Sequence, residues 1–440
     1  MKKSYYLSFL IGLSSWVQAD TLVEVIRHTL ETNPDILVTT HQRLAVDQEH
    51  RQAVAGYLPS VELNGGYGRE TSDNVTTRSR YSDSEVSLNR EELGLTLSQM
   101  LFDGFYVKRE VEYQNRRIES AAHQVKNTSE QIGLLTVSAY LRLFQYHELL
   151  ELAKDNLVIH QKRLAQIREI VEKGAGRKAD VQQSQSRLAL ASSNLVRAQG
   201  ELREAEYRYQ RITGQLPEFA NLVKPERPLV ETHLPESAEI ALNLALKTHP
   251  SMKIAQAELE AAEALYQQAA ASFIPHFQLE LGATDNKNLD GIEGTNDDLS
   301  AMVKMRYNLY RGGADQARRE EIAERVSAAK EVIRRTRRTL EEEVQLAWND
   351  LMTIRERLTY LKNHVEATEQ VVESYSEQFK LGQRSLLDVL DSENELFNAR
   401  STLISGQYTE LLGMFRVISS MGLMLNKLGI KPPAEAQVEY

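Results

Sequence analysis

The chain carries the same plan twice. Asn33-Pro34 and His249-Pro250 are 216 positions apart, and so are Tyr57-Leu58-Pro59 and Phe273-Ile274-Pro275. Farther on, Leu101-Phe102-Asp103-Gly104 faces Leu309-Tyr310-Arg311-Gly312 at an offset of 208. The same 208 pairs Gly174 with Gly382, Asp180-Val181 with Asp388-Val389, Ser184 with Ser392, Leu188 with Leu396, Arg208 with Arg416 and Gly214 with Gly422. An offset held over so long a stretch is tandem duplication of one supersecondary unit. The change from 216 to 208 is a loop difference between Pro275 and Leu309.

Proline draws the plan of each copy, because it breaks helix interiors and is excluded from central strands. All 10 prolines fall outside residues 60–216 and 276–431. Inside those windows, 105–172 and 313–380 are rich in Ala, Leu, Glu, Gln and Arg, with apolar residues at helical spacing. Helices of that length would run about 100 Å, so they must lie side by side in a bundle or tube. Gly174 and Gly382 stand where left-handed caps would end them. A return helix follows, about 178–213 and 385–421, and each copy opens with helix, about 21–56 and 236–272. The resulting plan is a first repeat at 20–214, an irregular linker at 215–235, a second repeat at 236–422 and a tail at 423–440.

Residues 1–19 read as a removable secretory signal: Lys2 and Lys3, an apolar run from Tyr5 to Leu13, then Val17-Gln18-Ala19. The other reading of this stretch is a buried amphipathic first helix. Cleavage after Ala19 would remove two lysines and no acids, taking the formal charge from −10 to −10 − 2 = −12. That acidity speaks against a nucleic-acid partner. With 0 cysteines there are no thiolate metal sites, no thiol catalysis and no cysteine to carry a lipid anchor. No later run of eighteen apolar residues exists, so a spanning version must be a closed β-barrel.

The period changes to two between the opening and long helices. Val61, Leu63, Gly65 and Tyr67 alternate with polar or small residues, as do Leu93, Leu95 and Leu97, and in the second copy Phe277, Leu279 and Leu281. Leu299, Ala301, Val303, Met305, Tyr307 and Leu309 alternate with Ser300, Met302, Lys304, Arg306 and Asn308. Strands are expected at about 61–69, 86–102, 276–284 and 298–310. Alternation alone fits either an amphipathic sheet on a soluble core or a barrel with one lipid-facing side. The long polar connections at 70–85 and 285–298 suit extracellular loops. Four strands cannot close around water, so a conducting version needs several protomers, and three would supply twelve strands.

Asn33-Pro34, Pro59, the duplicated unit and above all Phe379-Lys380-Leu381-Gly382-Gln383-Arg384-Ser385-Leu386-Leu387-Asp388-Val389-Leu390-Asp391 resemble the TolC-type outer membrane efflux and secretion family over 20–425. The resemblance implies an α+β membrane protein: a homotrimer whose twelve-stranded outer-membrane β-barrel continues into a periplasmic α-helical barrel. It places the protein in the outer membrane of a Gram-negative cell, with 215–235 and 423–440 forming an equatorial band. It also implies two partners besides outer-membrane lipid and its own copies: a periplasmic adaptor (membrane fusion) protein and an inner-membrane ABC or proton-driven transporter.

By the same resemblance Asp388 and Asp391 correspond to pore-lining aspartates, six in a trimer, and their spacing puts both on one helix face. Such a ring is expected to have raised pKa values and to attract cations. Asp388 has a second reading as the acid of a helix N-terminus, since Ser385-Leu386-Leu387-Asp388 has the form of a capping box. Asp180 and Arg384 resemble the link that latches the closed state. Phe379 departs from a tyrosine whose hydroxyl joins that link, and Tyr375 is a possible substitute. The turns at Gly174, Gly176 and Arg177, and at Gly382, Gln383 and Ser385, are the expected adaptor-facing tips.

Other chemistry is missing. His147-Glu148-Leu149-Leu150-Glu151 lacks the second histidine of a zinc-protease helix, and Gly174-Ala175-Gly176-Arg177-Lys178-Ala179 lacks the spacing of a phosphate loop. Arg334-Arg335-Thr336-Arg337-Arg338 reads as a solvated helix face, with Glu341 to Glu343 close behind. No enzyme, cofactor or metal site is expected. Ser405-Gly406-Gln407-Tyr408 through Arg416-Val417-Ile418-Ser419-Ser420-Met421-Gly422 resembles members serving type I protein secretion. Multidrug efflux is the alternative, and a soluble periplasmic coiled-coil scaffold is a remoter one.

Overall fold

The computed structural model describes residues 21–81, 85–174 and 176–437; the expected signal at 1–19 lies outside them. In the first copy the elements are α1 (Leu22–Thr32), α2 (Pro34–Ala55), β1 (Ser60–Ser72), α3 (Val75–Arg80), β2 (Val86–Phe102), α4 (Tyr106–Glu172) and α5 (Lys178–Thr213). A short α6 (Pro228–Glu231) sits in the linker. The second copy follows with α7 (Ala238–Thr248), α8 (Pro250–Gln268), β3 (His276–Lys287), β4 (Thr295–Arg306), α9 (Ala314–Lys380), α10 (Leu386–Ser420) and α11 (Met424–Lys427). The duplication is visible in the lengths: α4 and α9 both have 67 residues.

The opening helix expected as one piece is two in both copies. Asn33 and His249 leave the helical region at ψ 127 and 129, because a proline ring crowds the residue before it out of the α conformation. Pro34 and Pro250 then start α2 and α8, where a missing N–H costs nothing. Asn33 turns the break to use: its side-chain amide donates to the Ile212 carbonyl at 2.9 Å, satisfying an acceptor at the end of α5.

The chain divides into two compact units. One holds the segments up to Val38, Lys126–His249 and Thr339–Pro433. Its core joins α1 to the adjoining parts of α4, α9 and α10 through buried Ile26, Tyr140, Leu351, Met414, Phe415 and Ile418. The linker is fastened to it: Phe219 stacks on His147 at 3.9 Å and Val230 is buried. After α10, the Met424 and Leu425 N–H groups donate to the carboxylate of buried Glu130, at 3.1 and 3.3 Å. Here α4 carries Gly133, where a Cβ would come within 2.8 Å of the Met424 methyl.

The other unit holds Thr39–Val125 and Pro250–Arg338. Small residues let its helices approach, with Ala255, Ala257, Ala261 and Ala264 all buried. Ser120 donates to Glu258 at 2.5 Å and Gln268 to Glu110 at 2.5 Å. The four strands form one antiparallel sheet in the order β1-β2-β3-β4, leaving one edge of β1 and one edge of β4 without a strand partner among the described residues.

The register brings the alternating residues into two continuous faces. Val61 lies opposite Leu97, then Leu281 and Ala301; Leu63 lies opposite Leu95, then Ala283 and Leu299. Ser98, Glu280, Thr96, Gly282 and Ser300 fall on the other face. The apolar face is open, with Leu63 68%, Val303 63% and Leu299 89% exposed. Several strand bounds differ from expectation. The fourth strand, expected to reach residue 310, stops at Arg306, because its partner strand begins only at His276, behind Pro275. The first and third strands run on to Ser72 and Lys287, since ladder pairing needs backbone groups and not apolar side chains.

Candidate functional site

The residues singled out around the helix turns all lie in the first unit. The α9 turn is a Schellman motif: the Gln383 N–H donates to the Gln378 carbonyl and the Gly382 N–H to the Phe379 carbonyl, each at 2.9 Å. Gly382 takes the left-handed position at φ 72, as Gly174 does after α4 at φ 79. In the α4–α5 turn Gly176 is needed for space, since a Cβ would come within 2.7 Å of a Val171 methyl. Arg177 and Gln383 are exposed.

Ser385 caps α10. Its hydroxyl accepts the Asp388 N–H at 3.3 Å and donates to the Asp388 carboxylate at 2.8 Å. The helix-terminal reading of Asp388 therefore describes its local geometry, and Arg384 adds a cation 3.9 Å away. Asp391, one turn on, ion-pairs with Arg187 of α5. Each carboxylate thus has an arginine beside it within the chain.

The latch expected between Asp180 and Arg384 is not formed within the chain. Asp180 accepts the Arg177 N–H at 3.2 Å, closing the first turn of α5. Arg384 lies over the Tyr375 ring at 4.1 Å and donates to Gln378 at 3.0 Å, so its guanidinium is held by its own helix turn. Phe379 packs against Ile167, Leu386 and Leu390, an apolar setting that a phenyl ring suits and a hydroxyl would not. Tyr375 meets Arg384 through the face of its ring.

Sequence reasoning missed the cluster that joins α4 to α9 and α10. Arg163 donates to Glu393 at 2.8 Å and to Ser376 at 2.9 Å. Its partners are 230 and 213 positions away, and no local motif marks them. Burial pushes the Glu393 carboxyl up, opposed by Arg163. Burial likewise pushes His160 down, reinforced by Arg187 and Arg163.

Among the described residues no helix is long and apolar enough to cross a membrane, and no three His, Asp or Glu residues are grouped to hold a metal. What remains is a duplicated helical unit carrying a sheet with one open apolar face. A family model described as outer membrane efflux protein matches residues 25–215 and 241–411. The chain belongs to that family.

The relatives agree over nearly the whole length. The outer membrane efflux protein BepC of Brucella suis is 22% identical over 87% of this chain and 82% of its own. The outer membrane protein TolC of Vibrio cholerae is 23% identical over 95% and 94%. The alkaline protease secretion protein AprF of Pseudomonas aeruginosa is 23% identical over 95% and 87%. The solved structure of CusC superposes with a TM-score of 0.76 at 18% identity, covering 91% of both chains. The chain is therefore an outer membrane efflux or secretion channel of the TolC type, in a family of ducts and not of enzymes.

Proposed function

We propose that three copies of this chain form one outer-membrane duct that exports molecules delivered by an inner-membrane transporter and a periplasmic adaptor. The observation that carries the reading is the sheet: one face apolar across all four strands, the other polar, and an unpartnered edge at each side. Such a sheet satisfies lipid, water and its own backbone at once only when copies join edge to edge. Residues 1–19 serve as the removable export signal, and the linker 215–235 with the tail 423–440 forms the equatorial band. The turns at Gly174, Gly176 and Arg177, and at Gly382, Gln383 and Ser385, face the adaptor. Asp388 and Asp391 line the periplasmic constriction.

The preferred cargo is protein, through type I secretion. The 405–422 pattern and the likeness to a protease secretion protein support this reading, while the likeness to an outer membrane efflux protein, BepC, supports efflux, with drugs as the cargo, as the second. Conductance of the purified protein in planar bilayers tests the duct and the constriction together. Wild-type channels blocked by a multivalent cation, with block lost in the Asp388→Ala, Asp391→Ala double variant, are the expected result; a soluble, non-conducting protein overturns the reading. Deleting the gene and assaying secreted proteins beside drug susceptibility separates the two cargoes.

A further inference from the structure

At the end of the sheet where α4 and α9 begin, the apolar face does not stop with the strands. The β2–β3 ladder shifts between Met100 and Phe102: Leu97 lies opposite Leu281 and Gln99 opposite Leu279, but Phe102 lies opposite Phe277. The extra residue puts Phe102 on the apolar face with Phe277 and its partner Met305. Beyond it, Phe105 meets the Phe102 ring edge to face at 5.4 Å, and the Lys108 ammonium lies 5.9 Å from the centre of the Phe105 ring. Two rings and a cation thus lead from the apolar face toward water. Lys108 is exposed and makes no ion pair among the described residues.

Phe105 holds this place against its own backbone preference. Its φ is 71, in the left-handed region, as is that of Gly104 before it at 68. The second copy makes the same turn with Gly312 and Gly313, at φ 63 and 85, so a glycine stands 208 positions after Phe105. The other non-glycine residues at positive φ among the described residues are Asn288 and Asp290, types that adopt it readily, whereas a bulky ring does not. Packing within the chain offsets little of this strain, because Phe105 is 54% exposed. Nor does the turn follow an open edge where another copy would join, since β2 is paired on both sides.

We propose that Phe102, Phe105 and Lys108 form a seat for an anionic phospholipid, the rings against its upper acyl chains and the ammonium against its phosphate. The inference rests on the reading of the apolar face as lipid-facing, and the departure of the long helices from this end makes the leaflet the periplasmic one. Aromatic rings suit that depth of a barrel wall, and a lysine beside an anionic lipid surface adds attraction. Tyr57, Leu58 and Phe273, exposed just before β1 and β3, extend the apolar rim at the same end of the sheet.

Fluorescence quenching tests it on the assembled protein in equimolar vesicles of phosphatidylglycerol and phosphatidylcholine, with bromine on the acyl chains of one lipid or the other. The emission of Phe105→Trp, less the background of Trp348, should be quenched several-fold more when phosphatidylglycerol carries the bromine, and Lys108→Gln should remove the difference. Equal quenching by the two lipids, or a difference that survives Lys108→Gln, overturns the seat. Val303→Trp, on the apolar face of β4, is the control. Quenching there but not at Phe105→Trp overturns the seat alone, whereas quenching at neither position sinks the lipid-facing reading on which it rests. Phe105→Gly fits the backbone without strain and should assemble even where the tryptophan variant does not. By native mass spectrometry it should retain several-fold less phosphatidylglycerol than the wild type, and equal retention would overturn the proposal.

Discussion

The Tyr140 hydroxyl and the Val223 backbone bind each other twice: the hydroxyl donates to the Val223 carbonyl at 2.7 Å and accepts the Val223 N–H at 3.1 Å. A fully buried tyrosine of α4 thereby fixes the middle of the linker. Tyr140→Phe keeps the packing and strands both backbone groups, each costing roughly 1 kcal/mol or more when unsatisfied. A loss of about 2 kcal/mol in denaturant unfolding is expected, with faster proteolysis near residue 223. Unchanged stability would mean that water replaces the hydroxyl without penalty.

Two buried groups of the first unit titrate in opposite senses. Burial pushes Glu130 up to about 7, against the Leu425 and Met424 N–H groups and Lys126. Burial pushes His249 down to about 4, helped by Lys126. Glu130 contributes stability below its unfolded value, which is lost as pH rises through about 7. His249 contributes stability above its unfolded value, which is lost as pH falls through about 4. In the shared acidic window the two slopes offset, so the wild type should be nearly flat. Glu130→Gln should lose roughly 3 kcal/mol as pH falls across that window, and His249→Gln should gain a similar amount. Urea unfolding at a series of pH values checks this, and parallel profiles for all three proteins would refute it.

The two faces of β4 should respond oppositely to charge. Val303 is on the apolar face and Ser300 on the polar one, where it sits opposite Gly282. Val303→Arg should cost about 2–4 kcal/mol if its position is near the bilayer midplane, depleting the protein from the outer-membrane fraction. Ser300→Arg should leave the yield near wild type. Equal tolerance of both changes would count against a lipid-facing sheet.

Two glycines without neighbours within 4 Å separate backbone strain from crowding. Gly382 sits at φ 72, so Gly382→Ala should destabilise by about 1 kcal/mol. Gly200 is inside α5, where alanine is the better helix former, and Gly200→Ala should stabilise by about 0.5–1 kcal/mol. Thermal unfolding should move in opposite directions for the two variants.

Period, proline and glycine made the helices and the four-stranded sheet legible, because each of those signals acts within a few residues. The break at Asn33-Pro34 was legible too, but it read as a marker of repetition and not as the end of a helix. Where β4 stops depends on where β3 starts, a property of the partner strand. The ion pairs were the least legible part. Arg384 finds Gln378, Tyr375 and Asp388 within nine residues of itself, whereas Asp180 lies 384 − 180 = 204 positions away on a separate hairpin. Arg163 and Glu393 also come from separate hairpins, with nothing in either neighbourhood to announce their meeting.

The open edges of β1 and β4 have a genetic consequence. A chain whose edge is damaged, by a proline in β4 for instance, still offers a sound edge to its neighbours and so enters assemblies that it cannot complete. When intact and damaged copies of the gene are expressed together at similar levels, most rings would contain at least one faulty member. Edge mutations should therefore behave as dominant, whereas lesions that stop the chain from folding, and so from joining at all, should be recessive.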